Sequence, residues 1–391
     1  GMPFLFPFEP DWASPVEVEI AYKTEVLTSR AYREQRLALR SQPRKSIRFE
    51  VTALRSAYQN FMQQIVARQQ AEWVVPEIVR PAFVDSASSG ATSLVFPVRP
   101  AWARPQSWVV VKLPSGLQLR QVTAVTLTAI SFAVPLPEAV PASTAVFPGL
   151  IGRLSQSMSG STPTNAALKG TVELAADPGA NFYEDETSAP LSFNGRELWL
   201  RRSNWATVPS LDFEGRLETL DYDRGGVSHF SPVSHNVLRV QREYVIKGQT
   251  EAQEFTAFLH RMKGQRGEFY APSGSHDLNP SIGAAAGSSA LDVPGTETAA
   301  LFASSPVHRA VFARFADGSY QANAVTGITV VGPNSRIAVA SPWGQAVSAG
   351  NARMVSWLYA MRLSTDTVTI EWLTDSVARA KLAAQTLEDL P

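Results

Sequence analysis

Residues 47–76, IRFEVTALRSAYQNFMQQIVARQQAEWVVP, and residues 242–272, REYVIKGQTEAQEFTAFLHRMKGQRGEFYAP, follow one pattern. Each stretch holds an apolar-rich segment of strand composition, an amphipathic segment, and a short apolar segment that closes on a proline. The pattern predicts the same strand–helix–strand unit twice. A single amphipathic helix is a common feature, whereas two copies with matching flanks and exits indicate a duplication.

Each predicted helix has one apolar face. In the first copy this face comprises Tyr58, Phe61, Met62, Ile65 and Val66. In the second copy it comprises Phe255, Phe258, Leu259 and Met262. Residues at this spacing share one side of a helix, so we expect both faces to meet a core. The capping boxes that we predict at the two helix starts are Ser56 with Gln59 and Thr250 with Gln253. His260 is expected at the rim of the second helix, and the second copy adds two residues in its turn at 264–267.

The repeat extends beyond these stretches. Further matching segments are 11–13 with 204–206, Gly90 with Gly287, Leu94 with Leu291, Pro97 with Pro294, Gly116 with Gly318, and 153–155 with 362–364. The offset between matching positions grows slowly along the chain, as loop insertions in a duplicated domain would cause. A segment rich in proline, glycine and acidic residues, 178–190, has the composition of a boundary loop.

The sequence therefore predicts an α+β fold that is mostly β. We expect two tandem homologous domains, each a β-sandwich or barrel with one main flanking helix. The first, residues 1–180, would contain the strand–helix–strand unit 47–76 and a β region 90–176. The second, residues 190–391, would contain the unit 237–272 and a β region 287–388. For the tail 376–391, helical propensity and the strand-like first-half counterpart disagree, and we predict a terminal strand.

Composition narrows the classes of function. Lys+Arg and Asp+Glu both number 35, so no net field favours nucleic acid, an anionic membrane or an acidic substrate. The absence of cysteine excludes disulfides, thiolate metal sites and thiol nucleophiles. Prolines interrupt the apolar N-terminal residues and the weakly charged region 121–152, so we expect neither a signal peptide nor a membrane span.

The densest charge feature is a run of arginines within 29–46. Its members are Arg33, Arg36, Arg40 and Arg44, with Glu34 among them. One hypothesis is a phosphate-contacting patch, but only Tyr32 could stack on a base and the rest of the chain is not basic. We favour a solvated or subunit-contacting face, formed either by a short helix or by a protruding arm.

Other candidate sites have weaker support. The loop at 271–280 places Ser273, Ser275, His276 and Asp277 side by side, whereas catalytic triads converge from separate segments. Turn chemistry explains the loop better, and a cell-wall hydrolase is only a remote alternative. Trp102 and Trp108 are the candidate contacts for a carbohydrate ligand. We predict no catalytic residues, no metal and no cofactor, because no motif for these occurs; the acidic 184–186 lacks calcium-loop spacing.

Two segments resemble a known family. Residues 25–51, EVLTSRAYREQRLALRSQPRKSIRFEV, resemble the N-terminal signature of distal tail and tail-hub proteins of long-tailed bacteriophages, prophages and gene-transfer agents. Ser29, Glu34 and Arg36 match its pattern, while 32–33 replaces the usual glycine region. Residues 357–382 resemble the terminal strands of the same group. The matching positions there are Arg362, Leu363, Ser364, Asp366 and Trp372.

This resemblance implies a non-enzymatic virion protein at or near the tail tip. Proteins of this kind use a β-sandwich with one flanking helix, and neighbouring subunits join their sheets into a ring around the DNA channel. The expected partners are other tail proteins (tube, tape measure and hub) and further copies of the chain, and the expected location is the virion tail, with the host cytoplasm during assembly. If each half is one ring unit, three chains would form a pseudo-six-fold ring; six chains in two stacked rings are the alternative. A carbohydrate- or receptor-binding module of the tail tip is the second hypothesis.

Overall fold

The computed structural model describes residues 2–29, 34–68, 71–155, 167–178, 189–201, 210–214, 218–222, 226–230 and 237–387. It is 50% strand and 11% helix, with large antiparallel sheets. The predicted α+β, mostly β class is confirmed.

The first half contains thirteen strands and one helix among its described residues. They are β1 (Phe4–Leu5), β2 (Val16–Ala21), β3 (Thr24–Thr28), β4 (Glu34–Ala38), β5 (Arg44–Leu54), α1 (Arg55–Ala67), β6 (Trp73–Pro76), β7 (Ala82–Val84), β8 (Ser93–Val95), β9 (Trp108–Leu113), β10 (Gly116–Val125), β11 (Ala129–Phe132), β12 (Thr144–Ser155) and β13 (Ala167–Ala176).

The second half follows with fourteen strands and two α-helices among its described residues. They are β14 (Ser192–Phe193), β15 (Arg196–Leu198), β16 (Ser210–Glu214), β17 (Glu218–Tyr222), β18 (Gly226–Phe230), β19 (Val237–Lys247), α2 (Gly248–Met262), a 3₁₀ turn (Gly264–Arg266), β20 (Phe269–Pro272), β21 (Ala290–Pro294), α3 (Glu297–Phe302), β22 (Ala310–Phe315), β23 (Tyr320–Val331), β24 (Asn334–Val339), β25 (Ala352–Leu363), β26 (Thr367–Trp372) and β27 (Val377–Thr386).

The main sheet has the same strand order in both halves. In the first half it runs β1–β6–β12–β13–β5–β2, and in the second half β15–β20–β25–β27–β19–β16. The first pairing of each series is parallel and the others are antiparallel. A hairpin follows the last strand of each series, β3–β4 in one half and β17–β18 in the other. These shared pairings support the predicted duplication.

The second lobe of each half is also built alike. Its strands pair in the order β12–β9–β10–β11–β8 and β25–β22–β23–β24–β21. Both orders contain a β-bulge at the pairing of the third and fourth strands, after Val122 and Val325. Gly116 and Gly318 lie in the predicted hairpin turns with positive φ angles, 142° and 87°, which favour glycine. The division near 178–190 stays a prediction, since residues 179–188 lie outside the described part of the chain.

Helix α2 packs its predicted apolar face on the core, and the described part of the α1 face does the same; the side chains of Ile65 and Val66 lie outside the described part of the chain. Phe61 is buried in α1, with Tyr58 and Met62 half-buried beside it. The whole predicted face of α2 is buried, Phe255 and Phe258 completely. The largest hydrophobic core takes buried residues from both halves, whereas the strands β7–β12 enclose a smaller core of their own.

The predicted capping boxes are wrong. The N-cap of α2 is Lys247, three residues before Thr250, and its backbone N–H donates to the Glu251 carboxylate at 2.5 Å. Helix α1 begins at Arg55, so Ser56 lies inside its first turn.

The predicted capping boxes also imply an offset of 194 between the two helices (250 minus 56), and the packing of the helices contradicts this offset. Phe61 packs its ring 5.2 Å from Phe6 and 5.5 Å from Trp73. Phe258, and not Phe255, packs at the corresponding places in its own half, 3.9 Å from Trp199 and 5.2 Å from the first residue of β20. The helix offset is therefore 197 (258 minus 61). The extra residues of the second copy lie in the first turn of α2 and not in the turn at 264–267.

Two ambiguous segments are now resolved. Residues 377–386 form the predicted terminal strand β27, because pairing with β19 along nine residue pairs outweighs helical propensity. Within 29–46 the helix alternative is wrong: Glu34–Ala38 is strand β4 of a hairpin.

Candidate functional site: the junction between the two halves

The two halves join through one antiparallel ladder. Strand β2 of the first half pairs with β26 of the second half from Val16 opposite Trp372 to Ala21 opposite Thr367. The sequence of β2, VEVEIA, alternates apolar and polar residues, so one face enters the core while both edges remain free to pair. Since β2 also pairs with β5, the main sheet continues without a break from one half into the other.

An ionic network flanks this ladder. The guanidinium of Arg362 donates two hydrogen bonds of 2.8 Å to the two carboxylate oxygens of Glu34, a bidentate pair. Arg36 bonds to Glu34 at 3.2 Å and to Glu268 at 2.5 Å. Burial by itself raises the pKa of Glu34, but the hydrogen bonds and charges of Arg362 and Arg36 outweigh it and hold the pKa below its usual value. First-half and second-half charges thus neutralise each other at the junction.

Asp366 of the second half forms hydrogen bonds with the first residue of β3 in the β3–β4 hairpin. Its carboxylate accepts hydrogen bonds from the backbone N–H and the hydroxyl of Thr24, both at 2.8 Å. It also accepts the backbone N–H of Gln265 at 3.0 Å. Gly264 has a φ of 68°, and a Cβ there would lie 2.3 Å from an Asp366 oxygen, so this close approach requires glycine.

A second polar cluster lies between α2 and the first half. The Tyr22 hydroxyl and His260 Nδ1 are 2.8 Å apart. Lys45 forms an ion pair with Glu77 at 2.7 Å, and Arg80 is buried close by. Burial, with the charges of Lys45 and Arg80, lowers the pKa of His260 to about 3, so the imidazole is neutral. The expectation that His260 lies at a rim is wrong, because it is 4% exposed.

The predicted interface residues separate into two groups. Glu34 and Arg36 lie in the junction, as described above. Arg40 is half-buried and donates to the Ala21 carbonyl at 3.4 Å, and Arg44 is exposed at the start of β5. Arg33 lies outside the described residues. The described arginines therefore occupy β4, the connection after it and the start of β5.

The candidate ligand contacts are placed differently from one another. Trp102 is 8% exposed and belongs to the core of the first-half lobe, so little of its ring is accessible for stacking. Trp108 is half-buried against a small cluster that contains Val74 and Val110. The ligand-contact hypothesis stays a prediction for both.

The loop after β20 forms a turn around Asp277. Its carboxylate accepts the hydroxyls of Ser273 and Ser275 and the backbone N–H of Trp357, the last at 3.0 Å. His276 is exposed, and the described contacts give its ring no bond to these groups. His276 is therefore not placed to act as a general base for either serine, and the geometry of the loop fits the predicted turn.

No protein-family model matches the chain, and no curated protein matches it. In the part of the chain that the structure describes, no group of three or more His, Asp or Glu side chains could hold a metal ion. No described helix is long and apolar enough to cross a membrane.

The sequence missed several members of the junction. Tyr22, Lys45, Glu77 and Arg80 belong to no motif; Tyr22 lies 238 residues from its partner His260, and Lys45 lies 32 residues from its partner Glu77. One signal was present: ionisable residues at these positions interrupt or flank apolar strands, where a buried charge needs a partner. Residue spacing alone could not identify that partner.

Proposed function

We propose that this protein is a structural, non-enzymatic component of a phage or prophage tail tip, which joins with further copies of itself to form a ring. The observation that carries the proposal is the contact between Glu34 and Arg362. Each lies in one of the two segments that resemble distal tail and hub proteins, and 328 residues separate them in the chain. Two residues from segments that resemble the same family, one near each end of the chain, are therefore in contact at one interface.

The form of the junction supports repeated association. The first half contributes β2 and its hairpin, and the second half contributes β26, α2 and the turn before β20. Since the two sides differ, the contact is head-to-tail. A head-to-tail contact that is repeated between equivalent units generates a ring or a filament.

The second half has its own uncovered elements. Among the described pairings, β16 pairs with β19 alone, whereas its first-half counterpart β2 pairs on both edges. Uncovered strand edges recruit other strands. Because the halves lie side by side in one sheet, this arrangement favours three chains with two units each over six chains in stacked rings. We propose tube, tape-measure and hub proteins as further partners, and the virion tail as the location.

The mass of the assembled particle tests the proposal. We expect light scattering of the full chain, up to its solubility limit, to show a closed oligomer, and negative-stain images to show rings with an open centre. The Glu34→Lys variant, which places like charges opposite Arg362, should disturb the junction and the assembly together. A chain that remains monomeric at every concentration, alone and with a tail-tube protein, would contradict the proposed function.

A further inference from the structure

The face of α2 that contacts the first half is buried, whereas the equivalent face of α1 is exposed. With Phe61 equivalent to Phe258, the exposed Gln59, Asn60 and Gln63 correspond to three buried residues of α2. These three are Thr256, Ala257 and His260. The described contacts on this side of α2 come from the first half, namely Tyr22 with His260 and the Val79 carbonyl with Gln249.

The residue that precedes β6 differs in the same way from its counterpart in the second half. Glu268, which precedes β20, accepts the Arg36 guanidinium across the junction. The equivalent residue before β6 is Glu72, as the pairings of β6 with β12 and of β20 with β25 show. Glu72 is exposed and has no ion pair among the described residues.

The second half contains the matching elements. Strand β16 is equivalent to β2, and the β17–β18 hairpin is equivalent to β3–β4. Glu17 pairs with Arg48 and its counterpart Ser210 pairs with Gln241, an offset of 193 (210 minus 17). The same offset matches the hairpin pair Thr28–Glu34 with Asp221–Val227 and places position 229 where Arg36 lies in the first half.

We infer that the α1 face, defined as Gln59, Asn60, Gln63 and Glu72, binds the β17–β18 hairpin of a second copy of this chain. A second copy is the expected partner because the proposed contact repeats the contact between the two halves of one chain. Within one chain the β3–β4 hairpin already contacts the second half, so the α1 face and the β17–β18 hairpin remain for a contact between chains. The inference rests on the proposed function, and it names the two surfaces through which the copies meet.

Site-directed cross-linking tests the inference, and the native chain helps because it has no cysteine. The double variant Glu72→Cys with His229→Cys is treated with a short bismaleimide under assembly conditions. We expect covalent dimers and higher oligomers on a denaturing gel. The matched control combines Glu72→Cys with Leu127→Cys, which is 87% exposed on the first-half lobe, and should remain unlinked.

Each result has a separate meaning. Assembly of normal mass without a cross-linked ladder would overturn the inference and leave the proposed function standing. Cross-linking of a single-cysteine variant with itself would indicate a face-to-face contact and also overturn it. Single chains by both mass and gel would contradict the proposed function itself.

A substitution on the helix gives a second readout. Gln63→Arg should weaken association about tenfold or more, because a long charged side chain would be buried in the contact. Gln121→Arg, an equally exposed glutamine on β10, should leave association unchanged. Equal effects of the two substitutions would contradict the assignment of this face.

Discussion

Helices α1 and α2 differ on the side that faces away from their own sheet. Both bury an aromatic residue between the sheet and a preceding aromatic residue, Phe61 in one half and Phe258 in the other. Beyond this shared core, α1 exposes Gln63 where α2 buries His260. Both halves contain the same core contact, whereas the outer face is buried only on α2, where the first half covers it. Burial of this face therefore indicates where one unit meets the next.

The largest expected effect tests the shared core. Phe258→Ala and Phe61→Ala should each lower the free energy of unfolding by about 3–5 kcal/mol, because each removes a buried ring and leaves a cavity. Chemical denaturation measures both values. If one substitution were nearly neutral while the other is costly, the two positions would not be equivalent.

The next effect contrasts two arginines at equivalent strand positions. Arg362→Ala should cost about 2–3 kcal/mol, because it leaves the half-buried Glu34 carboxylate with only one of its two arginine partners. Arg153→Ala should change the free energy of unfolding of the single chain by less than about 0.5 kcal/mol, since Arg153 is exposed. Equal losses in urea titrations would contradict the difference between the two sites.

A pH titration separates His260 from its α1 counterpart. The pKa of His260 falls from 6.5 to about 3 on folding, so the unfolded chain binds the proton more readily between these values. Stability from this group is complete above pH 6.5 and is lost as the pH falls, by about 2 kcal/mol between pH 7 and pH 5. His260→Gln should remove this part of the pH dependence, whereas Gln63→His should add none, because that position is exposed. An unchanged slope in His260→Gln would contradict the assignment.

The smallest effects concern the helix starts. Glu251→Ala should cost about 0.5–1 kcal/mol, because it removes the acceptor of the Lys247 backbone N–H near the positive end of the helix dipole. Helix α1 has no acidic residue in its first turn, so Ala57→Glu should stabilise by about 0.3–1 kcal/mol. Thermal unfolding of both variants measures these shifts, and shifts of the same sign would argue against this explanation.

The type of each helix and strand could be predicted from the sequence better than the tertiary contacts between them. Strand and helix types in 47–76 and 242–272 followed from periodicity, because each element buries one face. The helix register did not, since Phe255 and Phe258 both fit the apolar spacing and only the rings around them distinguish the two. Residue spacing could not predict the Glu34–Arg362 pair either. Both residues were singled out only because they match the family resemblance. Long-range partners depend on the fold, which local patterns do not encode.

The most direct test of the whole account is a cryo-electron microscopy map of the assembled particle. The account predicts one ring in which each chain supplies two consecutive units, with β2 paired to β26 inside the chain and the β17–β18 hairpin against α1 of the next chain. Stacked rings in which first halves contact only first halves, or a ring joined through the outer lobes, would contradict it.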